Sequence, residues 1–479
     1  MSIVKNYIYN VIYQIVTLIV PLITVPYVSR VLGSNGIGIN AYTYSIIQYF
    51  VLLGTIGITL YGNRAIAYVR DDQRKLSETF WSIFSLQVLT SLFAFIIFIF
   101  FLKWSGAYQN IFLLQSFYLF AAMFDVSWLF MGLEDFKKTV TRNLIVKIFG
   151  VICVFIFVQT AHDLWKYVLI LSLSQFLGNL TLWLYIPKTV NKFKVTWKQI
   201  NNHFMPSISL FIPQIAIQVY VALNKTMLGY MSNTNEVGFF DNADKIVKIV
   251  LSIVTAMGIV MLPRVSNTFA KGDMKKVNEY LYRSFDFASY LSIPMMFGLM
   301  GIAGTFTPWF FGSGFSKTGV LIGVISPIIV LIAWSNVIGQ QYMMPVGKVR
   351  GFTVSVTIGA VVNFIVNLLL IPHYQSVGTA ISTVVAEFTV TFVQLMLIYR
   401  HIQYRKLFSS IWRYFISGFL MLMIIHLVGG KLGNNIFSTV IQVILGIFVY
   451  LIVLVLLRSE MNQLIFGKLF GISKKAVKR

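Results

Sequence analysis

The chain has 479 residues, 57% of them hydrophobic and only 11% charged, with mean hydropathy +0.79. A soluble globular protein carries about 25% charged residues, so this composition excludes a water-soluble domain and indicates an all-α polytopic membrane protein. The net charge of +23 follows from basic connectors on one membrane face, attracted to anionic membrane lipids, and implies no nucleic-acid partner. A single cysteine, Cys153, excludes an intrachain disulfide and any multi-cysteine metal site.

Taken in order, apolar runs of about 20 residues, enough to span a bilayer, lie near 8–32, 38–62, 79–102, 110–133, 143–161, 164–187, 205–230, 239–262, 284–306, 318–342, 352–371, 377–399, 411–429 and 436–457. That predicts about 14 transmembrane helices. The first begins behind only Lys5, is longer than a signal-peptide core and lacks a small-residue cleavage site, so it reads as retained. Alternate connectors are basic: Arg64, Arg70, Arg74 and Lys75, then Lys137, Lys138 and Arg142, then Lys188, Lys192, Lys194 and Lys198. The tail adds Lys468, Lys474, Lys475, Lys478 and Arg479, whereas the opposite connectors hold little beyond Lys103, Lys317 and Lys431. The positive-inside rule then predicts both termini in the cytoplasm.

An internal repeat runs through this pattern. Asn35-Gly36-Ile37-Gly38 aligns with Asn235-Glu236-Val237-Gly238, Ile46 with Ile246, and Arg64 with Arg264, all at an offset of 200 residues. Both copies start on the same membrane side, which makes the repeat parallel. The expected organisation is two pseudo-symmetric six-helix bundles, 1–200 and 201–405, with two further helices and a basic tail in 406–479. Two similar bundles around a cleft suit alternating access.

No P-loop, HExxH, GxSxG or His/Cys cluster is present, and no connector could house a catalytic domain. The chain reads as a transporter rather than an enzyme, with no cofactor expected. Charge inside the spans is therefore the informative signal, because it is costly there and usually faces a bundle interior or a wet cavity. It gathers in the stretch from Asn224 to Lys248. Asp241, Asp244, Lys245 and Lys248, at helical spacings 0, 3, 4 and 7, share one face. At the corresponding positions of the first copy stand the neutral Ala41, Tyr44 and Ser45.

Lys225, Lys245 and Lys248 fit recognition of an anionic, phosphate-bearing headgroup; lysines near helix ends also snorkel to the interface. Gln214, Gln218 and Lys225, at spacings 4 and 7, define one polar face of the seventh helix. Arg30, at the outer end of the first helix, and Asn40 in the second join this candidate cationic lumen. Asp241 and Asp244 fit either counter-charges at i,i+4 or an ion-coupling site. Asp125 and the deep Glu387 are further coupling candidates.

Several of these stretches resemble Wzx-type polysaccharide flippases of the multidrug/oligosaccharidyl-lipid/polysaccharide (MOP) exporter superfamily. The resemblance is carried by Pro21-Leu-Ile-Thr-Val-Pro26-Tyr-Val-Ser-Arg30-Val-Leu-Gly33, Gly36-Ile-Gly38, Gly62-Asn-Arg64, Asp125-Val-Ser-Trp128 and Gly238-Phe-Phe-Asp241-Asn-Ala-Asp244-Lys245. It implies export of an undecaprenyl-pyrophosphate-linked oligosaccharide across a bacterial cytoplasmic membrane. That export would serve capsule or exopolysaccharide synthesis, or supply teichoic acid precursors. Coupling to H+ or Na+ and cooperation with polysaccharide polymerase machinery belong to the same expectation. The drug-exporter branch typically carries an acid in the first helix; this first helix has none. The family often places an acid where Asn224 precedes Lys225.

Overall fold

The computed structural model describes residues 3–463, apart from the side chains of 3–15, 17, 18, 136, 210–214, 216, 217, 257, 259 and 260. Among the described residues there is no strand. The helices, in order, are α1 (Ile3–Thr55), α2 (Ile58–Val69), α3 (Gln73–Leu102), α4 (Gln109–Gln115), α5 (Phe117–Met123), α6 (Ser127–Gly132), α7 (Phe136–Phe157), α8 (Leu164–Trp183), α9 (Ile186–Thr189), α10 (Trp197–Asn202) and α11 (Phe204–Met231). They continue with α12 (Thr234–Ala270), α13 (Met274–Phe311), α14 (Ser316–Ile325), α15 (Ile328–Ser335), a π-helical stretch Asn336–Met343, α16 (Val349–Ile398), α17 (Tyr404–Leu407), α18 (Ile411–Leu432) and α19 (Ile436–Leu456).

Among the described residues, ten helical stretches are long and apolar enough to cross a membrane, eleven if a bent pair counts as one span. Two of them are too long for a single pass. The 53 residues of α1 would run about 80 Å unbroken, against a hydrocarbon core of about 30 Å. The break falls at Gly33, whose φ of 66° is a left-handed value that glycine adopts without steric cost. In α16 it falls at Gln375 (φ 51°), just after Pro372. There a Cβ at Gly378 would lie 2.6 Å from the Leu370 carbonyl oxygen, and one at Gly359 2.3 Å from Val390. The two passes therefore run antiparallel with their backbones close together. Each of the fourteen expected runs coincides with a helix or a set of consecutive helical pieces.

Three runs expected as single helices are interrupted well inside their length, and a fourth, 164–187, breaks only near its end, between α8 and α9. The run 38–62 breaks at Ile56 and Gly57, both at positive φ, and resumes as α2. The run 318–342 bends by 42° between Ile325 and Ile328 and ends in the π-helical stretch. The run 110–133 is three short helices, α4 to α6. A break at membrane depth frees backbone carbonyls, and side chains must satisfy them. Gln87 of α3 does so, donating through Nε2 to the carbonyls of Ala122 (2.6 Å) and Asp125 (2.9 Å). Its Oε1 accepts from the indole N–H of the fully buried Trp128 at 3.0 Å. Hydropathy alone does not reveal this break, because the run as a whole still passes as one apolar span. Gln87→Leu is expected to lower stability by about 2–3 kcal/mol, since it strands several buried polar groups at once; thermal unfolding of the purified protein in detergent measures it.

The chain divides into two compact units, 1–238 and 239–479. In the first, Ile58, Ile66, Phe80, Ile83, Trp128 and Phe130 form the centre of a cluster joining α2, α3 and α6. Helix α11 packs on α1 in this unit: Ser45 Oγ and Thr226 Oγ1 are 2.8 Å apart, and Gly229 lies flat against the Tyr42 ring. In the second, Gly418 of α18 admits the Phe297 ring of α13, and Gly446 of α19 admits Ile425. Small residues at such crossings let helices approach without a hydrophobic driving force. Phe149, Phe392 and Phe448 are more than half exposed, the surface expected of a protein solvated by lipid.

Candidate functional site

The start of α12 carries the charged stretch. Asn233 Oδ1 accepts from the Glu236 amide at 3.1 Å and so opens the helix. One turn on, Lys245 Nζ lies 2.5 Å from Asp241 Oδ2, and Lys248 Nζ 2.8 Å from Asp244 Oδ2. Each pair is unequal. The aspartate side chains are 4% and 8% exposed, the lysines 38% and 44%. The carboxylates are thus fixed in the packed face of the helix while the ammoniums lie at its open edge. A lysine so held retains N–H donors for an anion. Within the second unit the structure brings these four residues together as the spacing predicts.

In the first unit Lys225 is half-buried on α11, beside the buried Asn224. It lies within electrostatic reach of the Tyr44 hydroxyl, with the Gln48 side chain close by. Tyr44 also packs edge-on against Tyr118, ring centroids 5.0 Å apart. This small Tyr44–Gln48–Lys225 group went unrecognised in the sequence as a unit, although the 200-residue register places Tyr44 opposite Asp244. Asn40 is half-buried and accepts from Gln115 Nε2 at 3.3 Å through its Oδ1. Arg30 and Gln218 are exposed. The Gln214 side chain lies outside the described residues.

The two remaining acids lie on other elements. Asp125 Oδ1 accepts from the Ser127 amide at 2.9 Å and caps the break before α6. Glu387 is buried on the second pass of α16. The antiparallel register set by Gly359 and Gly378 places it near the level of Asn363, which accepts from Asn367 Nδ2 at 3.0 Å.

The 200-residue repeat is physically realised inside the first unit. A Cβ at Gly38 would lie 1.6 Å from the Thr234 carbonyl oxygen, and one at Gly238 2.0 Å from the Ser34 carbonyl oxygen. Ser34 Oγ donates to Asn235 Oδ1 at 2.7 Å, and Thr234 Oγ1 donates to Asn35 Oδ1 at 2.5 Å. The two repeat-related turns therefore cross backbone to backbone, each supplying the glycine the other needs.

An all-α, multi-pass protein whose spans carry paired charges has the form of a membrane transporter. A family model described as "Polysaccharide biosynthesis protein" matches residues 3–269, more than half of the chain, and the chain belongs to that family. It is 24% identical over 403 residues to a putative O-antigen transporter of Escherichia coli (strain K12), covering 83% of this chain and 97% of that relative. A lipid II flippase, MurJ, of Bacillus subtilis (strain 168) is 24% identical over a shorter 163 residues, 33% of this chain and 30% of that relative. In fold, the chain is similar to a solved lipid II flippase MurJ in an inward closed conformation, with TM-score 0.77 and 16% identity, covering 98% and 100% of the two chains. The resemblance to Wzx-type flippases of the MOP superfamily agrees with these relatives. They are transporters and flippases, not enzymes.

Proposed function

We propose that this protein is a flippase that moves an undecaprenyl-pyrophosphate-linked oligosaccharide from the inner to the outer leaflet of a bacterial cytoplasmic membrane, with both termini in the cytoplasm. The observation that carries the reading is the match to an O-antigen transporter over 97% of that relative's length. The charge arrangement supports it: ammoniums held outward by buried carboxylates suit a diphosphate, which lysine binds as a point charge. Lys245 and Lys248 in the second unit, and Lys225 in the first, are the residues proposed to meet the diphosphate. Arg30, Asn40, Gln214 and Gln218 are proposed to meet the sugar or its phosphates.

Transport proceeds in this reading by alternating access, the two six-helix repeats 1–200 and 201–405 being the moving parts and 406–479 an appendage. With no nucleotide-binding element in the sequence, H+ or Na+ supplies the energy, with Asp241, Asp244, Glu387 and Asp125 as the acids available for coupling. The exported unit passes to polysaccharide polymerase machinery for capsule or exopolysaccharide. Conditional depletion in the host, followed by mass spectrometry of lipid-linked intermediates, tests the reading. Build-up of an undecaprenyl-pyrophosphate oligosaccharide is expected, and its sugars distinguish a repeat unit from a teichoic acid precursor. No build-up, with altered sensitivity to cationic compounds instead, overturns it.

A further inference from the structure

We propose that a recess between α7 and α8 holds the headgroup of an anionic glycerophospholipid. The recess has a volume of about 410 Å³ and is lined by Lys137, Lys138 and Arg142 of α7, Asp135 before it, and Leu184 and Tyr185 at the end of α8. Val146 also lines it and packs against Gly178 of α8, where a Cβ would lie 2.5 Å from the valine. Three cations against one carboxylate leave the lining positively charged.

These cations are held in place rather than trailing into water. Arg142 Nη1 donates to Asn179 Oδ1 at 2.7 Å, and its Nε to Asn143 Oδ1 at 3.0 Å. Lys138 Nζ lies 2.9 Å from Asp135 and about equally far, 4.9 and 5.0 Å, from the centres of the Phe130 and Tyr185 rings. Asp135, the residue that precedes α7, pairs with Lys138 and forms no side-chain cap on the helix, so the carboxylate does not neutralise the positive end of the helix dipole through a cap. Helix N-termini favour anions.

The occupant must also be amphiphilic. Ile145 and Leu184 line the same recess and are 62% and 76% exposed, an apolar track along which an acyl chain continues into the bilayer. The lysine and arginine distribution assigns this end to the cytoplasmic leaflet, where basic recesses between transmembrane helices bind anionic headgroups. A free phosphate would use the cations and leave the apolar track bare. An anionic phospholipid uses both.

The test is native mass spectrometry of the full-length protein released from nanodiscs of equal phosphatidylglycerol and phosphatidylcholine. Retention of phosphatidylglycerol over phosphatidylcholine by about tenfold is expected, falling to near parity in Lys137→Gln/Lys138→Gln. Lys137→Gln alone, at an exposed position, is expected to lose part of the preference while keeping the fold. Lys192→Gln/Lys194→Gln, two exposed lysines of the basic connector before α10, is expected to keep it. No preference in the wild type, or equal loss in both double variants, overturns the proposal in favour of diffuse surface attraction. Displacement of phosphatidylglycerol by undecaprenyl phosphate at equal concentration also overturns it, because the recess would then belong to the transported lipid.

Discussion

Neutralising both ion pairs of α12 together, Asp241→Asn with Lys245→Gln and Asp244→Asn with Lys248→Gln, is expected to leave the protein in the membrane near wild-type amount. Translocation of lipid-linked oligosaccharide is expected to fall by at least about a hundredfold, since a hydrogen bond to a charged group contributes about 1.5–3 kcal/mol and two are lost. Removing both members of a buried pair is often neutral for stability, whereas removing one strands the other. Lys245→Gln alone strips the 4%-exposed Asp241 of its lysine. Because the lysine itself is more than a third exposed, solvent screening limits the cost to about 1–2 kcal/mol. Lys245→Arg keeps both the charge and the pairing, and is expected to keep transport. Lys225→Gln/Lys245→Gln/Lys248→Gln extends the test to the first unit. The measurements are the accumulation of lipid-linked intermediate in cells and the amount of folded protein recovered in mild detergent. Wild-type translocation in the four-residue variant would remove these side chains from the mechanism.

Gly38→Val is expected to abolish folding of the first unit, and Gly238→Ala to impair it severely. Overpacking a core side chain against other side chains costs about 1–3 kcal/mol, because rotamers can give way. Here the added carbon meets backbone, 1.6 Å from the Thr234 carbonyl oxygen for Gly38 and 2.0 Å from the Ser34 carbonyl oxygen for Gly238. Neither oxygen can move without unwinding its helix, so the cost exceeds that range. Gly304, in α13, has nothing within 4 Å of its virtual Cβ. Gly304→Ala is therefore expected to be neutral or to stabilise by up to about 1 kcal/mol through helix propensity. Size-exclusion profiles and unfolding temperatures of the three variants side by side check both statements. A folded Gly38→Val protein would mean that the two turns do not cross as described.

What the sequence determined by itself was whatever depends on hydrophobic periodicity and local spacing. Apolar runs of bilayer length have one stable outcome in lipid, a helix with its backbone satisfied internally, so the succession of spans was legible. The pairing of Asp241 with Lys245 and of Asp244 with Lys248 was legible too, because four residues is one helical turn. The 200-residue repeat was visible as matched letters around Gly38 and Gly238.

Only the tertiary structure decided what those letters do. Gly38 and Gly238 are needed because two backbones cross there, and contact between chain segments 200 residues apart leaves no local trace. The breaks at Ile56–Gly57, in α4 to α6 and at Pro327 lie within runs that are apolar enough as a whole to read as single spans. They persist because distant groups, such as Gln87 from α3, satisfy the freed carbonyls. The division of labour within each ion pair, carboxylate buried and ammonium at the edge, was likewise undecided by spacing. It depends on which face of α12 meets its neighbours, and burial is a property of the packed molecule.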